Sequence, residues 1–138
     1  MQSLHRKRLG TGEKYQAHMD ELCAQFVTLI RNFHRLAGQI TSRHGGIIFE
    51  WPTNNKMWQE QTAHDMISKH GLVEVGLNGC RLGLRTKKGK AICKPWTFAT
   101  NMQCVVDAFS AMRCARGHQH AVCAGEELRR TESCTPEM

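Results

Sequence analysis

The chain has 138 residues, of which 41% are hydrophobic and 22% charged, and its formal net charge is +7. That is an ordinary globular balance, enough for one domain with a modest core. No apolar run reaches the roughly 18 residues of a membrane helix, and the basic N-terminus "MQSLHRKRLGTGEK" has no apolar segment behind it, so neither a membrane span nor a secretory signal is expected and the protein reads as intracellular, cytoplasmic or nuclear.

Residues 1–13 form a basic N-terminal segment. From about residue 14 to 43, apolar side chains fall at Tyr15, Met19, Leu22, Phe26, Leu29, Ile30, Phe33, Leu36, Ala37 and Ile40. Steps of mostly three and four predict one amphipathic helix. Thr11 or Gly12 can start it, Gly45 can end it, and Gly38 is a weak point inside. Residues 46–50 read as a short strand. Ile47, Ile48 and Phe49 do not alternate with polar residues, which predicts burial on both faces, as in a parallel sheet. Pro52 cannot donate to a ladder and stops the strand.

Thr53 or Asn54 can cap a second helix over residues 55–70, with Trp58, Ala63, Met66 and Ile67 as its buried stripe and Gly71 just past its end. Residues 72–77 are a second strand, followed by a bend at Gly79 and Cys80. Leu82 and Leu84 alternate with Arg81, Gly83 and Arg85, the pattern of a half-exposed strand. "TKKGK" is a turn with Gly89 available for positive φ, and "AICKPWTFAT" returns as partner strand, Pro95 favouring an edge or a bulge. Thr100 or Asn101 caps a third helix to about residue 113, with Val105, Val106, Phe109 and Met112 on one face. "CARGHQHAVCAG" is loop-like.

The order helix, strand, helix, strand, hairpin, helix is α/β with a small mixed sheet. With one strand–helix–strand crossover, it reads as part of a doubly wound, Rossmann-like sheet whose first half is absent. The domain spans residues 14–125, and residues 126–138 are a polar tail expected to be disordered. No internal repeat is visible.

Glu50 stands where the strand of "GGIIFEWPTN" ends. In open α/β sheets, functional groups lie beyond the carboxyl ends of strands. Trp51 and Pro52 can form a flat wall against a ring. A carboxylate desolvated beside that wall has a raised pKa and can donate a proton. The plainer reading is an exposed strand-end acid or the partner of a helix.

"GGIIFEWP", "GLVEVGLNGCRLGLRTKKGKAICKPWTFATN" and "RCARGHQHAVCAG" together carry a resemblance. The chain resembles the C-terminal half of a DNA (cytosine-5)-methyltransferase-like domain. More closely, it is similar to segments of that kind in retroelement polyproteins of marine protists, over about residues 4–138. In that family a strand ends in Glu-Asn-Val or Glu-Asn-Pro, whose glutamate contacts the target cytosine. The resemblance implies that Glu50 is that catalytic glutamate and that Pro52 is the last motif position. Trp51 replaces the asparagine. The Gly-rich turn for S-adenosylmethionine and the Pro-Cys nucleophile are both missing. The cofactor would therefore bind only with an upstream half present, and the chain alone is not expected to catalyse methyl transfer.

The seven cysteines are Cys23, Cys80, Cys93, Cys104, Cys114, Cys123 and Cys134. An odd number, several within helix or strand patterns, argues for thiols over a disulfide framework. Cys114-x3-His118-x-His120-x2-Cys123 offers two thiols and two imidazoles within one loop, and four such ligands make a complete zinc shell. Because four adjacent ligands reach one ion with difficulty, the preferred set takes Cys80 as a remote ligand with Cys114, His118 and His120, and Cys123 as a substitute. The alternative is a metal-free loop with Cys114 in the core and both histidines in solvent. Cys23 and Cys104 read as small core residues.

Between Glu74 and Asp107 there is no acid, but there are six cations: Arg81, Arg85, Lys87, Lys88, Lys90 and Lys94. Such an interval suits the phosphates of DNA or RNA, or it is a lysine-rich hairpin tip that blocks edge pairing. Trp96 and Phe98 share a parity and are expected in the core.

Three functions follow. The first is a fragment of a methyltransferase-like domain from a mobile element, binding nucleic acid and completed by its missing half or by an oligomer covering the sheet edge. The second is a zinc-stabilised nucleic-acid-binding module. The third is an expressed gene fragment with no function of its own.

Overall fold

A computed structural model of the chain describes residues 10, 12–123 and 131. Three helices and three strands follow one another as α1 (Glu13–Thr41), β1 (Ile48–Pro52), α2 (Gln61–Lys69), β2 (Val73–Asn78), β3 (Pro95–Thr100) and α3 (Gln103–Ser110). Short 3-10 turns at Lys56–Gln59 and Gly79–Leu82 precede α2 and follow β2. The architecture is α/β. No described helix is long and apolar enough to cross a membrane.

The sheet differs from the expected parallel or mixed one. Its order is β1-β3-β2, and both outer strands pair antiparallel with β3. The crossover from β1 through α2 to β2 is present, and its two strands run in the same direction. They do not touch because β3 lies between them. The chain leaves β2 through a tight basic turn and comes straight back, which only antiparallel pairing allows. Pro95 therefore opens the central strand, where its missing N–H costs no ladder bond, and is not on an edge.

Each face of the sheet carries its own core. On one, α1 and α2 bury Ile30, Ala37, Met66 and Leu72 against Ala99, Phe49 and Trp51. On the other, Val75, Leu77, Trp96 and Phe98 pack with Leu82, Leu84 and Ile92 under Val106 and Phe109 of α3. Trp96 and Phe98 are buried together, as their parity requires. The run Ile47-Ile48-Phe49 is not buried on both faces. Ile47 is buried ahead of the strand, Phe49 turns to α1, and Ile48 is 47% exposed on the opposite face.

Local chemistry explains the boundaries. At the end of α1, His44 takes φ +59 and the Gly45 N–H closes on the Ile40 carbonyl at 2.9 Å. A β-carbon on Gly45 would lie 2.5 Å from Ile40 Cγ2, so glycine is needed there for close approach and the left-handed residue precedes it. The expected helix over 55–70 is broken. Asn55 Oδ1 accepts from Met57 N–H at 3.1 Å and starts a separate turn, Glu60 is extended, and α2 begins at Gln61. Trp58 is held back by donating Nε1–H to the Pro52 carbonyl. Ala63 and Met66 are fully buried, and Gly71 ends α2 at φ +58.

Thr100 and Asn101 do less capping of α3 than tying of β1. Thr100 Oγ1 donates to the Ile47 carbonyl at 2.7 Å and accepts from Met102 N–H at 3.1 Å, and Asn101 Oδ1 accepts from Ile47 N–H at 2.8 Å. The expected hairpin shrinks to one bridge, Arg85 with Ala91, closed by a turn with Gly89 at φ +79. Cys23 and Cys104 are exposed and not core residues, because both fall on the solvent side of their helices. The expected tail and Cys134 lie outside the described residues, except Thr131, which is buried at 3% exposure.

Candidate metal centre

The end of β2 builds the site. Asn78 is its last residue, and its Oδ1 accepts the Cys114 N–H at 2.8 Å, while its own N–H donates to the Met112 carbonyl at 3.1 Å. The exit of α3 is thereby pinned to the sheet rim. Two residues after Asn78, the 3-10 turn presents Cys80. Downstream, Ala121 N–H donates to the Ala91 carbonyl at 2.8 Å and Ala121 bridges Ile92. The loop of residues 114–121 is fastened at both ends and folds over Cys80.

Four ligand atoms meet inside that loop. One from each of Cys80, Cys114, His118 and His120 lies within 4.8 Å of all the others. Cys114 Sγ is 3.4 Å from His120 Nε2 and 3.9 Å from His118 Nε2. A tetrahedral zinc, with bonds of about 2.3 Å to sulfur and about 2.05 Å to nitrogen, sets S···N at about 3.6 Å. The residues fit the ion, and together they can hold a metal. Arg116, at φ +57, donates its N–H to Cys114 Sγ at 3.3 Å. That backbone donor fixes the position of the sulfur, as hydrogen bonds to metal ligands do.

The charge balance points the same way. Burial, and then the neighbouring thiols Cys114 and Cys93, push the Cys80 thiol up to about 12. Crowded thiols resist ionisation, and a divalent cation among them reverses that sign. Cys93 is the neighbour the sequence reading missed. Its signal was hairpin register: Gly79 N–H bonds the Lys94 carbonyl at 2.8 Å, which sets Cys80 across from Cys93. Cys123, expected as a substitute ligand, is not in the group. Its Sγ lies 3.6 Å from Thr131 Oγ1 and packs on the α3-side core.

The basic residues border the same place. Arg81, Arg85, Lys87, Lys88 and Lys90 are exposed around the turn. Lys94 is turned inward: its Nζ donates to the Thr131 carbonyl at 2.7 Å and sits 5.1 Å from the centre of the Trp96 ring. A cleft of about 550 Å³ is lined by Cys80 and His118 on the metal side and by Arg85 and Lys90 on the other, with Ala91 and Gln119 between.

Glu50 lies elsewhere. It sits inside β1, beside Phe98 on the α3 face, and not at a strand end. Neighbours along a strand point to opposite faces, so Trp51 packs against Phe26, Phe49 and Trp58 on the other side and forms no wall for Glu50. Burial raises the Glu50 pKa, and Lys94 opposes the rise. No family model matches the chain, and neither does any curated protein or solved structure.

Proposed function

We propose that the chain is a zinc-organised nucleic-acid-binding module. One observation supports this above others: the cleft that joins two ligands of the metal cluster to Arg85 and Lys90. Zinc with two thiolates and two neutral imidazoles carries no net charge. The interval between Glu74 and Asp107 brings six cations to this side of the chain and no acid of its own. A phosphate backbone is the natural counter-charge.

Metal content of the purified protein, with oligonucleotide binding measured across salt, tests the reading. About one zinc per chain is expected, with binding that weakens on chelation. Replacing Lys88 and Lys90 by alanine reduces the slope of log K against log salt by about two on duplex DNA. Protein without bound zinc, or a slope unchanged by both substitutions, would overturn it.

A second reading keeps the family resemblance: a piece of a doubly wound methyltransferase-like sheet from a mobile element, inactive alone. Its support is that β1 and β2 each pair only with β3 among the described residues, leaving edges where further strands can add. In it Glu50 is a site residue by descent. Micromolar S-adenosylmethionine binding by this chain alone, seen by calorimetry, would contradict the view that the cofactor belongs to an upstream half.

A further inference from the structure

The stripe along α1 is longer than the sheet needs. Tyr15, Met19, Leu22, Phe26, Leu29, Phe33, Leu36 and Ile40 alternate in steps of four and three without a break. That is the spacing of a coiled-coil seam. The sheet takes only one side of it: Phe26 and Phe33 pack half-buried against Trp51 and Phe49, beside the buried Ile30 and Ala37. On the neighbouring side of the helix, Leu29 is 55% exposed, Leu36 51% and Ile40 41%. Scattered exposed leucines need no explanation, but a row of them at heptad spacing does.

Charge along α1 says what covers the row. The N-terminal half holds Glu13, Asp20 and Glu21 with Lys14 as its only lysine or arginine, and the C-terminal half holds Arg31 and Arg35 with no acid. Glu21 and Arg35 are two heptads apart, and both immediately precede a leucine of the row. Parallel copies would set like charges together. Two copies related by a two-fold axis near Leu29 set Leu22 against Leu36, Leu29 against itself, and Glu21 beside Arg35 twice. A self-complementary patch of this kind is what an isologous dimer requires.

We propose that the exposed face of α1 is a homodimer interface, formed by antiparallel pairing of α1 with α1 of a second copy. It does not depend on the metal centre, which lies beyond β2 at the exit of α3. Dimerisation places two basic turns on one particle, which raises the effective concentration of the second for a polyanion that reaches both.

Sedimentation of the full chain at several concentrations tests the proposal. The wild type is expected to be a dimer at tens of micromolar. Leu29→Glu is expected to be monomeric at the same concentrations, and to melt like the wild type at dilutions where both are monomers, since Leu29 is 55% exposed and belongs to neither core in the single chain. Glu21→Arg weakens the dimer about tenfold by facing Arg35 with a like charge, and adding Arg35→Glu restores it. A wild-type monomer, or a dimer indifferent to Leu29→Glu, overturns the proposal. So does failure of the double charge exchange to restore pairing. If Leu29→Glu instead lowers the stability of a monomeric wild type, another segment of the same chain covers the row, and the dimer is equally excluded.

Discussion

The two faces of the sheet are closed by different means. On the α1–α2 side, Phe26, Phe33, Phe49, Trp51 and Trp58 form one aromatic group with ring centroids 4.3 to 5.9 Å apart. The stripe of α1 supplies Phe26 and Phe33, β1 supplies Phe49 and Trp51, and the 3-10 turn supplies Trp58, on elements whose regular hydrogen bonds satisfy the backbone. On the other side α3 is eight residues long with no fully buried residue. Leu82, Leu84 and Ile92, from turn and loop segments, supply the core. Such segments need separate ties to stay on a core, and here the ties are Asn78 to Cys114, Ala91 to Ala121, and the Cys/His cluster. Both faces are packed, and on the α3 side backbone ties and a cluster that can hold a metal fasten the loops as well.

Breaking that comparison starts with the largest effect. Cys114→Ala removes a ligand and the loop's sulfur anchor. It should abolish metal binding and cost about 4 kcal/mol or more in the zinc-loaded protein. Chemical denaturation with and without chelator reads both, and a stability equal to that of the wild type would show that the α3 side holds without metal. Met66→Ala probes the opposite face. Met66 is fully buried, so the loss should be about 3 kcal/mol, of the same size in zinc and in chelator. A chelator-dependent loss would mean the two cores are not independent.

Thr100→Val should cost about 2 kcal/mol, because the Ile47 carbonyl and the Met102 N–H both lose a buried partner. Thermal melts would reveal it, and a neutral result would mean water replaces the hydroxyl. Acid gives the smallest effect. His34 Nδ1 and His70 Nε2 lie 3.0 Å apart between α1 and α2. Burial, then His34 and Lys69, hold the His70 pKa below 6.5. The fold favours neutral His70, so its contribution is complete above about pH 6.5 and is lost as pH falls through the lowered native value. His70→Gln should narrow the stability gap between pH 7.5 and pH 5.5. An unaltered gap would show that the acid sensitivity does not come from His70.

Much of this was legible locally. The α1 stripe, the glycines at 71 and 89 and the buried pair Trp96 and Phe98 are statements about neighbours in sequence, where periodicity and turn chemistry act. Strand pairing is not local. Nothing in "GIIFE" says that β3 inserts between β1 and β2, and so a run of apolar residues was assigned two buried faces when Ile48 has one in solvent. The break at Glu60 escaped because Asn55 competes as a cap inside an otherwise helical pattern. At the site, Cys80 joined the loop ligands on the argument that adjacent residues cannot surround an ion. Cys93 was missed because its proximity depends on register, and Cys123 is drawn away by its contact with Thr131.

That last contact bears on where the folded unit stops. Composition places a boundary at residue 125, ahead of a polar stretch. Yet Thr131 is buried and receives the Lys94 ammonium beside Trp96. A protein shortened at 125 would strip the Lys94 ammonium of its acceptor and Cys123 of its neighbour. Trimming the polar end would therefore remove a buried residue of the folded unit, and the shortened protein should melt at a lower temperature than the full chain.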